Sequence, residues 1–569
     1  MLKKFLAIIT VAYLLFIIGG CKKPYTGPPA DLVIKNAKVV TIDKDNPRAE
    51  AVAVKGEFII AVTSNRTIDQ YIEEGTTTVI DAKGRLVIPG FNDAHCHFRA
   101  INPDYINLRY ITDSKIITER VKEKVARAKP GELIRGGRWE HELFPDKQWP
   151  TKELIDPVSP NNPVVLSRID GHSVLVNSYV IKHSGITKDT PDPFGGEIQR
   201  DPVTGEPTGI FKESAKRLLK YGDVKVERTP EEEEERLMKG WQAAFDMAAR
   251  LGVTSVQHPG GGNAEIYQKF MDMGKLRLRV DVAGRLTAEE EELEQYEKMI
   301  KQYPREGNWI RFGILKGFID GTFGSGTALL FEPFEDEPDK TGLAQMPYEE
   351  LERRIIAADK IGFQIGIHAI GSKANHWILN AFESAQQVNG QRDSRHRNEH
   401  ASILTTEDIQ RFAELGVVAS MQPAFICSDM VFAEKRIGFE RCKGVYAFRR
   451  LLDTEAHIAF GTDYSVEPLD PLEGLYGAVT RKDRAGWPEG GWFPDQRLSM
   501  EKAIELYTLG SAYAQFMEDR KGMIKVGYLG DLVIYDRDLM TIPAEEIMKS
   551  LVDYTIVGGK VVYQRQGTD

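Results

Sequence analysis

His95 and His97 are separated by a single residue, Cys96. On a β-strand, residues i and i+2 point to the same face, so both imidazoles can reach one metal ion while Cys96 faces the other way. Imidazole nitrogen is a common ligand of zinc and other transition metals. The pair therefore indicates a metal site; its alternative is two polar residues on an exposed strand face.

Four more residues of suitable chemistry stand at the ends of strand-like runs. Each one singly has a structural explanation as a core histidine, a capping aspartate or a surface lysine. In an α/β barrel, however, functional groups collect at the carboxyl ends of the strands. Together with the histidine pair, these residues would build one metal site. They are His368 after Phe363–Ile367, His400 after Arg397–Glu399, Asp463 after Ile458–Thr462, and Lys316 after Ile314 and Leu315.

The middle of the chain, which must position these residues, alternates strand and helix. This is the pattern of an α/β barrel or of a doubly wound sheet. The clearest helix runs from Thr229 to Arg250, where Thr229 can cap the first turn and Pro230 suits the first helical position. The five glutamates that follow complement the positive end of the helix, and we interpret them as a solvated first turn.

The two ends of the chain share a different pattern of short β-branched runs separated by glycine. Gly558 and Gly559 stand between two such runs and predict a hairpin. We therefore predict one composite β-sandwich domain, built from residues 31–88 and 516–569, beside a barrel formed by residues 89–515. Residues 98–230 would form a lid or substrate-shaping insert, because so long a connection between barrel strands is usually functional.

Length and composition exclude several classes of protein. The chain has 569 residues, too many for one ordinary domain. It carries 84 acidic and 74 basic residues, for a net charge of -10, which argues against a nucleic-acid partner. Four cysteines in this length cannot form a disulfide scaffold. The composition does not predict an oligomeric state.

The first 30 residues predict export and anchoring. Two lysines precede an apolar run that is too short to span a bilayer, as in a signal peptide of residues 1–20. Ile18–Cys21 resembles a bacterial lipobox, in which Cys21 is lipidated; the alternative is an ordinary signal peptide with a chance cysteine. Residues 21–30 would be a tether. The expected location is extracytoplasmic and membrane-anchored, in the periplasm or at the outer membrane, and Lys22 favours the outer membrane in a Gram-negative host.

Ordered motifs from about residue 31 to residue 563 resemble the amidohydrolase superfamily of metal-dependent hydrolases. Within it they resemble the branch that contains the N-substituted formamide deformylases. The motifs are PGFNDAHCH (89–97), VVLSRIDGHSVLVNS (164–178), GEPTGIFKESA (205–215), LKGFIDGTFGSGTALL (315–330), IHAIGS (367–372), NEH (398–400), GTD (461–463) and the closing GYLGDLVIYDRD and TIVGGKVVY.

The resemblance implies a (β/α)8 barrel carrying a β-sandwich made from both termini, with the first barrel strand ending at His97. It also implies two divalent metals, expected to be zinc given imidazole and carboxylate ligands. His95, His97 and Asp463 would hold one ion, and His368 and His400 the other. Lys316 would bridge them after carboxylation, because a free ammonium has no lone pair; its alternative is a structural lysine beside a single metal.

The same resemblance implies hydrolysis of a small-molecule substrate by metal-activated water. Asp463 would be the general base and His172 a catalytic residue that hydrogen-bonds a substrate carbonyl. Trp139, His172 and Asp320 are the substrate-binding candidates. Their alternatives are the core for Trp139, where tryptophan is more often found, a capped loop for His172, and the orientation of a loop for Asp320. Cys96 should only pack.

Two departures from the family pattern affect substrate preference. Ser372 stands where the family usually has an acidic residue, and Gly326 where it usually has arginine. The predicted reaction is therefore hydrolysis of a non-peptide C–N bond in an N-acyl, N-formyl or cyclic amide. The alternatives are a metallo-dipeptidase or deaminase on the same scaffold, or a lipoprotein that only binds small molecules.

The lipid anchor makes a direct prediction. Replacing Cys21 by serine removes the acceptor thiol, so the C21S protein should leave the membrane fraction. Fractionation followed by immunoblotting measures this change. A membrane fraction that stays the same in C21S would refute the anchor.

Overall fold

The structure is a computed structural model that describes residues 25–221, 229–260 and 264–567. The predicted signal peptide and Cys21 lie outside the described residues. Within the described ranges, we find no helix that is both long enough and apolar enough to cross a bilayer.

The chain enters through short strands whose aliphatic residues are largely buried. One sheet has the order β5-β4-β1-β6, while β2, β3 and β7 belong to a second sheet. The strands are β1 (Leu32–Lys35), β2 (Lys38–Val40), β3 (Arg48–Ala49), β4 (Ala51–Lys55), β5 (Phe58–Thr63), β6 (Thr78–Asp81) and β7 (Leu86–Pro89).

After the first barrel strand, β8 (Phe91–Asp93), the chain leaves the barrel and forms a separate sheet inside the predicted insert. This sheet has the order β13-β14-β12-β11-β10-β9 and covers its own apolar core. Its strands are β9 (Ile106–Asn107), β10 (Ile134–Trp139), β11 (Val164–Arg168), β12 (Ser173–Val176), β13 (Gly196–Arg200) and β14 (Pro207–Glu213).

The chain then returns to complete an eight-stranded parallel sheet of the described residues. Backbone bonds from Ala94 N to Phe460 O (3.0 Å) and from Asp463 N to His95 O (2.7 Å) join the two edges of this sheet. The returning strands are β15 (Val253–His258), β16 (Arg279–Arg285), β17 (Ile310–Phe318), β18 (Gln364–Ala369), β19 (Arg397–His400), β20 (Val418–Met421) and β21 (Ile458–Phe460).

The last strands bring the carboxyl end of the chain back to the amino end. β22 (Leu532–Tyr535), β23 (Val552–Val557) and β24 (Lys560–Gln564) extend the sheet that holds β7. β22 pairs antiparallel with β7, and aliphatic side chains of both sheets share one core. The predicted fold class, an α/β barrel with a β-domain made from both termini, is confirmed.

Helices cover the outside of the barrel. The predicted helix from Thr229 is present: the Thr229 side chain accepts the Glu232 amide hydrogen (3.2 Å) and the Glu232 carboxylate accepts that of Thr229 (2.9 Å). The described helices are α1 (Lys115–Val125), α2 (Ser178–His183), α3 (Pro230–Arg250), α4 (Ala264–Asp272), α5 (Glu290–Gln302), α6 (Tyr348–Lys360), α7 (Ser372–Asn389), α8 (Thr406–Leu415), α9 (Phe425–Cys442), α10 (Phe448–Asp453), α11 (Pro471–Thr480), α12 (Met500–Glu505) and α13 (Ser511–Tyr513).

Candidate metal centre

Four of the predicted ligands converge at one end of the barrel. One ligand atom each from His95, His400 and Asp463 lie within 4.8 Å of one another, and all three residues are buried. Asp463 Oδ1 is 3.5 Å from His95 Nε2 and 3.2 Å from His97 Nε2. Strand β8 ends at Asp93, four residues before the predicted end at His97, so the histidine pair lies in the segment that follows the strand. Cys96 is buried in the barrel core.

The tautomer of His95 is set by a residue whose role was not predicted. Nδ1 of His95 is 2.6 Å from the Glu399 carboxylate, which also forms a 2.8 Å ion pair with Arg397. A carboxylate at Nδ1 holds the proton there, which leaves Nε2 unprotonated and directed toward Asp463. Gln422 occupies the same position for His400, with Oε1 2.7 Å from Nδ1. The signal for Glu399 was its place in a barrel strand made only of polar residues, Arg397–His400.

Asp93 ties together the two segments that carry the ligands. Its carboxylate accepts the backbone amide hydrogens of His95 (3.1 Å) and Thr462 (2.9 Å), and the Thr462 hydroxyl also bonds to it. Burial raises the pKa of Asp93 to about 7. These bonds fix His95 at the first barrel strand beside Asp463 at the last. Sequence reasoning missed this role, because a single aspartate before a histidine pair carries no distinctive spacing.

His368 and Lys316 lie on adjacent strands beside the same cluster. The His368 ring centroid is 4.5 Å from that of His400, and its Nε2 is 3.0 Å from the carbonyl oxygen of Gly321. Lys316 Nζ is buried without a hydrogen-bond partner among the described residues. Burial lowers the pKa of Lys316 to about 8, which favours a neutral amine more than usual.

The residues present fit a metal. Burial lowers the pKa of His95, His368 and His400 well below the ordinary value, so each imidazole is neutral and able to donate a lone pair. Within the described ranges, His95 Nε2 and Asp463 Oδ1 are buried without a hydrogen-bond partner. Unpaired buried polar atoms are costly unless something else satisfies them, and imidazole with carboxylate is a usual ligand set for zinc.

His172 reaches the centre from the insert. Its ring stacks on that of His368 with centroids 5.0 Å apart, and its Nδ1 is 2.8 Å from the Glu213 carboxylate. Burial alone would lower the pKa of His172, but the neighbouring Glu213 carboxylate outweighs burial and raises it. Thr327 donates a hydrogen bond to Glu213 (2.8 Å) and fixes the carboxylate in turn. Glu213 was also missed, because its partner is distant in sequence.

Two predicted substrate contacts lie elsewhere. Trp139 is fully buried in the core of the insert, where its indole N–H donates to the Leu166 carbonyl (3.0 Å). Asp320 is fully buried and accepts the amide hydrogens of Leu329, Ile370 and Gly371 at 2.8–3.0 Å. Neither side chain is among the residues that line the cavity beside the centre, and the contacts favour the alternative given for each residue. Trp139 fills a core, and Asp320 holds the loops after β17 and β18 in place.

A cavity of about 400 Å³ opens beside the centre. His368, His400 and Asp463 line its inner end. The insert contributes Tyr110, Arg168 and His172, while the barrel loops and α9 contribute mostly apolar residues, among them Phe323, Ile370, Phe425 and Phe432. This enclosed space next to candidate ligands can hold a small molecule with its reactive group at the metal centre.

Neither departure from the family pattern lines this cavity. Gly326 has a φ of 67°, and a Cβ there would lie 2.7 Å from Glu337 Oε2. The turn therefore accepts glycine more readily than a larger residue. Ser372 begins α7 and its hydroxyl accepts a long bond from the Phe331 amide (3.4 Å).

Comparison with known proteins finds metal-dependent hydrolases among those similar to this chain, as the candidate metal centre leads us to expect. The chain matches the sequence profile described as the Amidohydrolase family over residues 78–563. It is 34% identical over 559 residues to Protein LONG AFTER FAR-RED 3 of Arabidopsis thaliana, covering 95% of this chain and 93% of that protein. It is 27% identical over 551 residues to the N-substituted formamide deformylase of Arthrobacter pascens, covering 95% and 99%. An uncharacterized metal-dependent hydrolase from Pyrococcus horikoshii superposes with a TM-score of 0.68 at 26% identity, over 90% of this chain and 99% of that one.

The bond between Glu399 and His95 yields a prediction about metal affinity. Glu399→Gln removes the carboxylate that holds the proton on His95 Nδ1, so we expect metal affinity to fall roughly 10- to 100-fold. Competition with a chromogenic chelator measures this loss.

Asp359→Asn is the matched control. It alters a similar buried pair, His396 Nε2 with Asp359 Oδ1 at 3.1 Å, which lies away from the centre and also involves an arginine, Arg392. Equal losses of metal affinity in the two variants would show that Glu399 acts on general stability rather than on His95.

Proposed function

The chain belongs to the amidohydrolase family, in the branch that includes the N-substituted formamide deformylase, and on this basis we propose that it hydrolyses a non-peptide carbon–nitrogen bond. It is a metal-dependent hydrolase that acts on a small molecule. The bond proposed is that of an N-acyl, N-formyl or cyclic amide. The observation that carries the proposal is the convergence of buried, neutral imidazoles and the Asp463 carboxylate beside an enclosed cavity.

We propose that His95, His97 and Asp463 hold one zinc ion, and that His368 and His400 hold a second. His400 could also bind the first ion, because one of its ligand atoms lies within 4.8 Å of ligand atoms of His95 and Asp463. Lys316, carboxylated by carbon dioxide, would supply the bridging oxygens that a plain amine lacks. Its buried amine is well suited to this reaction, because only a neutral amine attacks carbon dioxide and burial lowers its pKa to about 8.

Divalent metal bound there supplies Lewis-acid polarisation of the amide carbonyl and a bound water of lowered pKa. Asp463 accepts the proton from the attacking water and returns it to the leaving nitrogen. His172 donates a hydrogen bond to the substrate carbonyl through Nε2, since Glu213 occupies its Nδ1. The carboxylate of Glu213 orients this imidazole and favours its charged form. The apolar cavity walls exclude bulk water around the reacting group.

For localisation, we propose a lipid anchor at Cys21 that holds the hydrolase on a membrane outside the cytoplasm. The proposal is supported by the lipobox-like segment Ile18–Cys21 and the proline-rich residues 22–30. The C21S fractionation experiment tests it.

The bridging role of Lys316 predicts a change in metal content. Protein truncated to begin at Asp31 and purified without chelators should contain about two divalent ions per chain, and Lys316→Ala should contain fewer. Elemental mass spectrometry measures both. About one ion per chain, unchanged in the variant, would instead support a mononuclear hydrolase with a structural lysine.

The proton transfer assigned to Asp463 predicts a loss of turnover. Asp463→Asn keeps an oxygen that can ligate a metal but cannot accept a proton at neutral pH, so kcat should fall by roughly 10²- to 10⁴-fold. Steady-state kinetics should be run at matched metal content, determined on the same samples, to separate the loss of a base from the loss of a ligand. An Asp463→Asn enzyme with parental kcat would refute the assignment.

A further inference from the structure

The cavity continues from the metal centre along the first turns of helix α9. The Phe425 ring centroid is 6.2 Å from that of His400, and Asp429 follows Phe425 by four residues on the same helix. Residues four apart lie on one helix face, about 6 Å from each other. His400, Phe425 and Asp429 therefore succeed one another along one wall, and all three line the cavity.

The two arginines among the residues that line the cavity are each already paired with two carboxylates. Arg168 bonds Glu140 and Asp170 at 2.5 and 2.6 Å. Arg484 bonds Glu467 (2.6 Å) and Glu473 (2.7 Å). Because these guanidinium groups are neutralised by the protein itself, the described lining offers no spare cation for an anionic substrate.

Asp429 has no such partner. Its carboxylate accepts the Tyr446 hydroxyl (2.6 Å) and a long bond from Ser428 (3.4 Å), and it forms no ion pair with a lysine or arginine of the described residues. Burial raises the pKa of Asp429 to about 7. The carboxylate thus faces a mostly apolar cavity with no ion-pair partner among the described residues. Arg168 acts on it only from a distance and is already paired with Glu140 and Asp170, so a bound cation would relieve a costly arrangement.

A second carboxylate in the same cavity, that of Glu142, differs from Asp429 in having cationic neighbours. Glu142 of the insert is 8% exposed, and its Oε2 receives no hydrogen bond within the described part of the chain. It nevertheless forms ion pairs with Lys435 (3.6 Å) and Lys147 (3.8 Å), and His141 Nε2 lies 3.7 Å from its Oε1. Both lysines are half exposed. Glu142 is therefore less available to a bound cation than Asp429 is.

We propose that the substrate is an amide whose far end carries an ammonium or guanidinium group, and that the Asp429 carboxylate binds this cation across an apolar spacer. The inference rests on the proposed hydrolysis at the metal centre and adds the substrate class to it. Phe425 contacts the spacer, and the Tyr446 hydroxyl orients the carboxylate. Away from the metal centre, a substrate with a terminal carboxylate, such as a dipeptide, meets carboxylates or arginines already paired with carboxylates, which argues against the metallo-dipeptidase alternative.

Three amides with a common five-carbon spacer test the proposal: mono-N-acetyl cadaverine (cationic), N-acetylhexylamine (neutral) and N-acetyl-ε-aminocaproate (anionic). The metal-loaded enzyme should show a kcat/KM at least roughly 10-fold higher for the cationic amide than for the neutral one, as expected for a buried hydrogen bond between charged groups. The anionic amide should be the poorest substrate. Equal kcat/KM for the cationic and neutral amides, or a preference for the anionic one, would overturn the proposal.

Asp429→Asn should lower kcat/KM for the cationic amide to the value measured for the neutral amide with the same variant, because asparagine still accepts the Tyr446 hydroxyl but carries no negative charge. Glu440→Gln is the matched control: it removes one negative charge at a side chain that is 79% exposed and lies beyond the non-helical Gly438 of α9, and it should keep the parental preference. A preference that survives in Asp429→Asn would overturn the role of this residue.

The failure of the proposed function would be visible separately. If the metal-loaded enzyme hydrolyses none of the three amides, calorimetry with the same compounds still measures their binding. The cationic amide should bind roughly 10-fold more tightly than the neutral one, and only in the protein that retains Asp429. Equal dissociation constants would refute the cation site independently of catalysis.

Discussion

The buried bond from Glu399 to His95 is the interaction on which the metal centre depends. An imidazole in this position would otherwise be free to rotate or to take its proton on Nε2, where a metal would be excluded. Arg397 forms an ion pair with Glu399 in the barrel interior and also bonds Gln257 and the Ala94 carbonyl (both 2.5 Å), so the carboxylate is fixed from several strands at once.

The insert adds polar side chains to the cavity beside the metal centre. The barrel alone would present ligands at an open mouth, but the insert adds His172 and Arg168 to one side of the cavity. It also brings Glu213 to His172 and Glu140 to Arg168, so its charges are largely balanced within itself. The balance is incomplete on α9, where the hydrogen bonds that Asp429 accepts from the described residues come only from hydroxyl groups. We therefore assign the proposed hydrolysis to the metal centre with His172, and the proposed substrate preference to Asp429 on α9.

The sequence motifs predicted the fold and a set of candidate metal ligands. They could do so because functional side chains collect at the carboxyl ends of the parallel strands of a barrel. They did not identify the roles of Glu399 and Gln422, which contact the candidate ligands His95 and His400 from neighbouring positions in the barrel. For Trp139 and Asp320 the sequence left two roles open, and the contacts decide between them: Trp139 fills the core of the insert, and Asp320 accepts three loop amides. Proximity in sequence does not determine which face of a loop a side chain occupies.

By itself, the sequence determined the residue types that could bind a metal, the strand ends on which they stand, and the two termini that form one β-domain. These follow from local periodicity and from the geometry of parallel strands. Only the tertiary structure decided that Glu399 and Gln422 hold the imidazoles, that Asp93 joins the first barrel strand to the last, and that Asp429 lines the cavity without an ion-pair partner among the described residues. Those facts depend on which distant residues meet in a desolvated space, where the cost of an unpaired charge is set by its surroundings and not by its place in the chain.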